Sequence, residues 1–351
     1  MPRRQPPAVG RVLERVVQLS RRDELFYPGD TVMVACSGGP DSTCLLHALH
    51  RLRRLLRTRL VAFHFDHRLR PGSDRDAAYV QRQVRSLNVP FVFRRATGGP
   101  AGGQSVEAWA RTARYAALTA AAREAGADRA ALGHTLDDQA ETVLLGLVRG
   151  GGLEALAAMA PSGSIPPIGF PAVRPLLETS RAEVVAFNRA LRLRPRQDPS
   201  NRDRRFLRNR VRLDVLPMLE RRLDRGLRAT LARTAAHLRE DAELLEALAT
   251  EAAGRVLDLD EGEARLDAGR LASLPRPIAA RVVRLALRSL AASAGRDTEA
   301  GTAHIDGILG LASGRPGRRL DLPGDLVATR VRRYVRLSRP SPERSTRKGE
   351  R

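Results

Sequence analysis

Thr31-Val32-Met33-Val34-Ala35-Cys36-Ser37-Gly38-Gly39-Pro40-Asp41-Ser42 is the stretch that decides the fold. The apolar, β-branched run 31–35 reads as a strand, and the amphipathic stretch from Ser42 to Thr58 as a helix. Two glycines between them permit a tight turn whose backbone N–H groups face an anion. The N-terminus of the helix adds free donors and partial positive charge. The Ser37 and Ser42 hydroxyls can donate to phosphate oxygens. Asp41 would repel phosphate, so a carboxylate there implies a metal ion between it and a nucleotide. No Lys follows the glycines, which separates the loop from the GxxxxGK[ST] pattern. A plain structural turn would need the glycines but not the flanking Ser and Asp.

Outward from this loop, strand and helix signals alternate. Residues 59–65, 89–95 and 129–134 read as strands; Ala77–Leu87, Ser105–Ala125 and Asp137–Arg149 read as helices. Repeated strand–helix units predict an α/β fold, a doubly wound parallel sheet, with ligand outside the carboxyl ends of the strands. Residues 161–171, PSGSIPPIGFP, read as a Pro/Gly-rich loop, and Thr179–Leu191 as a short helix capped by Thr179 or Ser180. Beyond lie a long amphipathic helix (Leu227–Ala253), helices over Ile278–Ala292 and Thr302–Leu311, and short strands RRLDLP and LVATRV. The expected organisation is an N-terminal extension and helix (1–27), a nucleotide-binding catalytic domain (28–215), a smaller, mostly helical substrate domain (216–337) and a disordered polar tail (338–351).

Three more stretches fall at the ends of predicted strands or on a helix face. Gly133-His134-Thr135-Leu136-Asp137-Asp138-Gln139-Ala140-Glu141-Thr142 opens a helix. Asp138 and Glu141, three apart, share one face. They suit a Mg²⁺ pair or a substrate ammonium group, though acids in a first helical turn also arise as ordinary N-terminal caps. His134, at the strand end, can hydrogen-bond phosphate or a reacting group. His64-Phe65-Asp66-His67-Arg68-Leu69-Arg70-Pro71-Gly72-Ser73 follows the second strand; two His and one Asp are too few to define a metal site. Arg111 and Arg114, in Ala110-Arg111-Thr112-Ala113-Arg114-Tyr115, share a helix face, either as a solvated stripe or turned toward a ligand.

The formal net charge is +22, which points to a polyanionic partner. Lys348 is the only Lys, a skew that genomic base composition could explain; the excess of basic over acidic residues it does not explain. Arg is densest over 192–212, where only Asp198 and Asp203 oppose it, and phosphate-backbone contact by Arg205, Arg208, Arg210 and Arg212 is the economical reading. Two cysteines, Cys36 and Cys44, cannot build a disulfide framework or a four-cysteine metal site. No apolar run reaches the ~20 residues of a membrane span, and the basic N-terminus leads into no signal-peptide apolar region. The expectation is a cytoplasmic protein with no membrane partner. The oligomeric state stays open, a homodimer among the alternatives.

SGGPDS after a strand resembles the loop of the PP-loop ATP pyrophosphatases, which cleave ATP between the α and β phosphates, adenylate a substrate oxygen and let a nucleophile displace AMP. Within that class, GHTLDDQAETVLLGLVRGGG, HFDHRLRPGS, ARTARY and DPSN followed by RNRVR resemble segments of the tRNA(Ile)-lysidine synthases. Arg68 stands where that family has Gly. His304-Ile305 and Leu320–Gly324 are similar to parts of its substrate-binding domain, so the resemblance spans about residues 28–335. It implies ATP and Mg²⁺ as cofactors, and tRNA(Ile) with a CAU anticodon and L-lysine as substrates. The nucleotide set is Ser37, Gly38, Gly39, Pro40, Asp41, Ser42 and Phe65. Asp41, Asp138 and Glu141 would serve metal. Arg111, Arg114 and His134 would join those acids in catalysis. The nearest enzymatic rival is a tRNA thiolation enzyme of the same class, which typically needs a sulfur-carrying cysteine or a CxxC-held cluster. A non-catalytic nucleic-acid-binding protein with a decayed nucleotide fold is the other.

Overall fold

The computed structural model describes residues 5–69, 72–103, 105–165, 169–197, 199–260, 262–293 and 300–339. Asp198 and the tail from residue 340 lie outside them, as do Arg70 and Pro71. The chain divides into two compact units, residues 1–239 and 240–351.

The first unit runs α1 (Pro7–Arg22), β1 (Thr31–Ala35), α2 (Pro40–Leu52), β2 (Arg59–Asp66), α3 (Ser73–Ser86), β3 (Phe91–Arg95), α4 (Val106–Glu124), β4 (Arg129–Ala131), α5 (Leu136–Val148), α6 (Leu153–Leu156), β5 (Ser162–Ile165), β6 (Phe170–Val173) and α7 (Arg181–Ala190). A 3₁₀ turn (Pro199–Arg202), α8 (Leu207–Arg210), a π-helical segment (Val211–Val215) and α9 (Leu216–Arg222) lead into α10 (Leu227–Val256). The sheet order is β3-β2-β1-β4-β6-β5. Pairing is parallel from β3 to β6 and antiparallel only for the edge strand β5. β5 and β6 correct the expectation of a loop over 161–171: Ile165, Phe170, Ala172 and Val173 are buried, and ladder pairing uses the backbone groups an irregular loop would leave unsatisfied.

Both sheet faces are covered, as parallel strands require. Val32 and Val34 point into a core shared with α1, α2 and α7. Met33, between them, points into the opposite core with Phe63, Tyr115 and Leu118 of α4. Period-two alternation thus buries successive residues of β1 on different faces, each apolar side chain stabilising the fold by about 1.5–3 kcal/mol. Because β1 is central and β4 its neighbour, the turns that follow these two strands lie side by side at the carboxyl edge.

The break between units falls inside α10, later than a boundary at residue 215. Val211 and Leu216 pack with Ala140 and Leu145 of α5, so the 207–222 stretch belongs with the nucleotide-binding sheet. The second unit contains the rest of α10, β7 (Leu257–Asp260), β8 (Glu263–Asp267), α11 (Ala268–Ser273), α12 (Arg276–Ser293), α13 (Thr302–Ser313), β9 (Arg319–Leu322), β10 (Leu326–Val331) and β11 (Tyr334–Ser338). Helix dominates, around an antiparallel sheet ordered β7-β8-β11-β10-β9, of which the sequence signals marked only β9 and β10.

Arg68 has φ +56°. It occupies the left-handed conformation that a Gly would supply, and its N–H donates to Asp66 Oδ1 at 2.9 Å. That local bond compensates the strain of a side chain in this region. Arg68→Gly relieves the strain but adds backbone entropy to the unfolded chain. The expected net stabilisation is about 0.5 kcal/mol, read as a shifted urea midpoint at unchanged slope. A destabilisation above 1 kcal/mol would mean the Arg68 side chain contributes more than its backbone costs.

Candidate active site

The loop after β1 is closed on itself and held from outside. Gly38 has φ +85°, a conformation L side chains rarely adopt. The Ser37 N–H donates to Ser42 Oγ (3.1 Å), the two hydroxyl oxygens lie 3.1 Å apart, and Ser42 Oγ–H donates to the Gly39 carbonyl (3.2 Å). Both serines therefore stand at the start of α2, where its unpaired N–H groups project. The Arg196 N–H donates to the Gly38 carbonyl at 2.9 Å, and Asn188 Nδ2 to the Pro40 carbonyl at 3.0 Å. Pro40 opens the helix at a position where its missing N–H costs nothing.

Asp41 Oδ2 accepts from Arg181 Nη2 at 3.1 Å, while its buried Oδ1 has no hydrogen-bond partner. Burial pushes the Asp41 carboxyl up to about 6, against the pull of Arg181. The turn after β4 presses on this loop. A Cβ on Gly133 would come 3.3 Å from both the Asp41 carbonyl carbon and the Ser42 nitrogen, so no other residue fits there without displacing the loop.

Thr135 caps α5 reciprocally with Asp138: its N–H and hydroxyl both donate to Asp138 Oδ2 at 2.9 Å. Asp138 Oδ1 accepts from Arg208 Nη2 (3.3 Å) and Arg212 Nη2 (3.1 Å). Glu141 is fully buried. Its Oε2 accepts from Arg208 Nε and Arg212 Nη2, each at 2.8 Å, and its Oε1 from Arg212 Nε at 2.5 Å. Burial alone would raise Asp138; Arg208, His134, the Thr135 N–H and Arg212 bring it below the ordinary carboxylate range. Asp137 faces elsewhere, accepting from the Arg181 N–H at 2.7 Å and Arg228 Nη1 at 3.1 Å.

The structure therefore brings Asp41, His134, Asp138 and Glu141 to one edge, as their places in the sequence imply. It divides the four arginines expected on RNA. Arg208 and Arg212 are committed to the α5 acids. Arg205, with its side chain 86% exposed, pairs among the described residues with nearby Asp203, and Arg210 is exposed. Phe65 contacts the His67 ring edge-on, with centroids 4.8 Å apart. His64 is buried, its Nδ1 2.7 Å from the Cys36 carbonyl. Asp66 is engaged with Arg95. Among the described residues, no group of three or more His, Cys, Asp and Glu side chains is arranged to hold a metal on its own. Arg181, Arg174 and Arg228 escaped the sequence reading, because no local spacing ties them to residues 41, 134 and 137.

On the other side of the edge, Arg111 and Arg114 lie over the two-sided ring of Tyr115, 4.9 and 5.1 Å from its centroid. Burial, then Arg174, Arg208 and Arg114 against the counterpull of Asp138, keep His134 neutral, well below the ordinary imidazole range. A neutral ring with an unpartnered Nδ1 can accept or donate one hydrogen bond there. Both cysteines are buried; burial pushes the Cys36 thiol up to about 12 and the Cys44 thiol higher still. Neither is a nucleophile at neutral pH.

A self-braced SGGPDS loop at the central switch of a parallel sheet defines a nucleotide-binding PP-loop domain, and the family model described as the PP-loop domain matches residues 12–219. A tRNA(Ile)-lysidine synthase of Symbiobacterium thermophilum is 39% identical over 346 residues, covering 95% of this chain and 70% of that one. That of Thermobifida fusca is 41% identical over 333 residues, covering 94% and 96%. The chain belongs to the tRNA(Ile)-lysidine synthases, and it is an ATP-using ligase. A solved U34-tRNA thiolase of Methanococcus maripaludis with a [4Fe-4S] cluster shares the fold, with a TM-score of 0.57 at 18% identity, over 66% of this chain and 80% of that one.

Proposed function

We propose that the protein joins L-lysine to C2 of the cytidine in the first anticodon position of tRNA(Ile) bearing CAU. The cytidine O2 attacks the α-phosphate of ATP and pyrophosphate leaves. The ε-amine of lysine then attacks C2, and AMP leaves with the oxygen. The observation that carries this reading is the Asp41 carboxylate, with one buried free oxygen, inside an intact phosphate loop that touches the Gly133–Asp138 turn.

The Ser37 and Ser42 hydroxyls and the N–H groups opening α2 hold the polyphosphate. The donor set suits Mg²⁺ in a restricted way. Asp41 Oδ1 is an available hard ligand, and Mg²⁺ commonly uses one or two carboxylates with phosphate oxygens and water. Glu141, with both oxygens taken by arginine, does not fit as a ligand in this arrangement, and Asp138 Oδ1 is shared by two guanidinium groups. Asp41 would therefore hold the ion, which when bound neutralises charge on the phosphates. The amine must lose a proton to attack; neutral His134, held well below the ordinary imidazole range, is too weak a base to take it and instead offers a hydrogen bond at the reacting edge. We assign the protein to the cytoplasm, in keeping with the absence of any membrane-crossing helix among the described residues.

The test is pyrophosphate release that requires ATP, tRNA(Ile) with CAU and lysine together, with radiolabelled lysine recovered on the RNA. Sulfur incorporation in its place, with a sulfur donor supplied, would overturn the reading. Arg205 and Arg210 supply an independent check on RNA contact. Neutralising both with Gln is expected to lower the magnitude of the log–log salt slope of tRNA binding by about 1–2, leaving the ATP affinity of the free enzyme unchanged. An unaltered slope would make them a solvated face only.

A further inference from the structure

Arg174 follows β6 directly, at the carboxyl edge of the sheet beside the end of β4, since Ala131 pairs with Val173. Its Nη1 donates to the Ala160 carbonyl at 2.8 Å, and its backbone N–H donates to the Pro161 carbonyl at 2.8 Å. Those bonds fix where the guanidinium stands. Its Nε is buried and has no partner. Tyr115, whose ring carries Arg111 and Arg114, packs in one core cluster with Leu132 and Ala172, just before the Gly133–His134 turn and Arg174, and Arg174 acts with Arg114 on His134. Arg111, Arg114 and Arg174 have no carboxylate partner among the described residues; Arg114 and Arg174 are half-buried and Arg111 is exposed. Burial, with Arg111 adding to it, brings Arg174 below its ordinary range. Three guanidinium groups with no carboxylate partner of their own repel one another. Such an arrangement persists at a cost that a bound anion repays.

The anion held by the phosphate loop is a poor match for this cluster. The loop follows β1, whereas Arg174 follows β6, two strands away across β4, or about 10 Å at the usual strand spacing. Two anions on opposite sides of the Gly133–His134 turn are what a reaction between a nucleotide and a nucleic acid needs. Resting on the tRNA-modifying function above, we propose that Arg174, with Arg111 and Arg114, forms a second anion site that grips a backbone phosphodiester of the RNA acceptor beside His134 and so positions the base to be adenylated. Arg174 is then a positioning residue: it binds the RNA strand rather than the atoms that react.

The test compares full-length wild-type protein with Arg174→Gln, Arg174→Lys and the pair Arg111→Gln/Arg114→Gln, each checked for its thermal transition. The probes are transcribed tRNA(Ile) with a CAU anticodon and, separately, MgATP without RNA. Arg174→Gln is expected to weaken tRNA binding about tenfold at low salt and to lower the magnitude of the salt slope by about 0.7, one contact to a single-stranded phosphate. Arg174→Lys should restore the slope, since it keeps the charge, but only part of the affinity, since it lacks the fork. MgATP affinity should stay within twofold. A shifted slope that Lys rescues is not what loss of packing would produce. An unchanged slope in a folded Arg174→Gln protein overturns the proposal, and so does a loss confined to MgATP, which would hand the cluster to the nucleotide. If Arg174→Gln does not fold, the paired Arg111/Arg114 variant carries the same slope test, with the same overturning result. Failure of the wild-type protein to incorporate lysine would instead remove the reading on which the proposal rests.

Discussion

Asp41→Ala is expected to lower ATP-dependent adenylation of tRNA about 10³-fold or more, with the fold intact. The side chain contributes little to packing: Oδ1 has no partner among the described residues, and the ion pair to Arg181 is partly exposed. Loss of that pair should cost no more than about 1 kcal/mol. What disappears is the one oxygen in the loop available to a cation against the polyphosphate. The same group predicts an acid limb. Its carboxyl sits at about 6, raised by burial, so it is protonated over a range where an unfolded Asp is ionised. A raised acid pKa means that the ionised form is the costly one in the folded state: this site opposes folding above pH 6 and ceases to do so as pH falls toward 4. Binding runs the other way, because the proton competes with the cation. MgATP affinity should therefore fall about tenfold per pH unit below 6, and Asp41→Asn should lose that dependence. Near-wild-type pyrophosphate release by folded Asp41→Ala would remove Asp41 from the nucleotide site.

How much of this was legible follows from the range of each signal. The loop 37–42 and the α5 opening 133–141 are local: glycine, helix-opening acids and a preceding strand lie within ten residues, and topology alone then sets the two turns side by side. Arg68 was legible as an anomaly, and the structure resolves it with positive φ and the Asp66 bond. The partners of the acids were not legible. Arg208 lies 67 residues from Glu141 and Arg181 lies 140 from Asp41. A charge run such as 192–212 looks uniform in sequence, yet the fold sorts it into arginines buried on carboxylates and arginines left to solvent. β5 and β6 escaped for another reason, since Pro and Gly at 161–171 mask two four-residue strands whose apolar positions become evident only once the parallel sheet needs another neighbour.

Glu141→Ala is expected to destabilise the first unit by about 3–5 kcal/mol, the cost of leaving buried charge without its partner. Glu141 is fully buried and accepts three hydrogen bonds from two guanidinium groups, which have only Asp138 to turn to when it is removed. For a unit of this size that corresponds to a fall of about 10 °C in Tm. Glu141→Gln keeps shape and one acceptor but not the charge, and should lose less than Ala. Arg212→Gln alone should be comparably costly, whereas the double variant should be less destabilised than the sum of the two, since each removes the group the other leaves stranded. The contest is between an anchor for Arg208 and Arg212 and a seat for the lysine ammonium, and the two differ in what they move. If Glu141 anchors the arginines, Glu141→Gln lowers Tm and slows adenylation and lysine transfer alike, because α8 and the π-helical segment loosen over the whole edge. If it seats lysine, Tm stays, adenylation is normal, and only the lysine concentration needed for transfer rises. Thermal melting beside single-turnover assays of both steps separates them. The three bonds to arginine favour the first pattern, and a stable variant with a selective lysine defect would establish that the arginines withdraw when substrate binds.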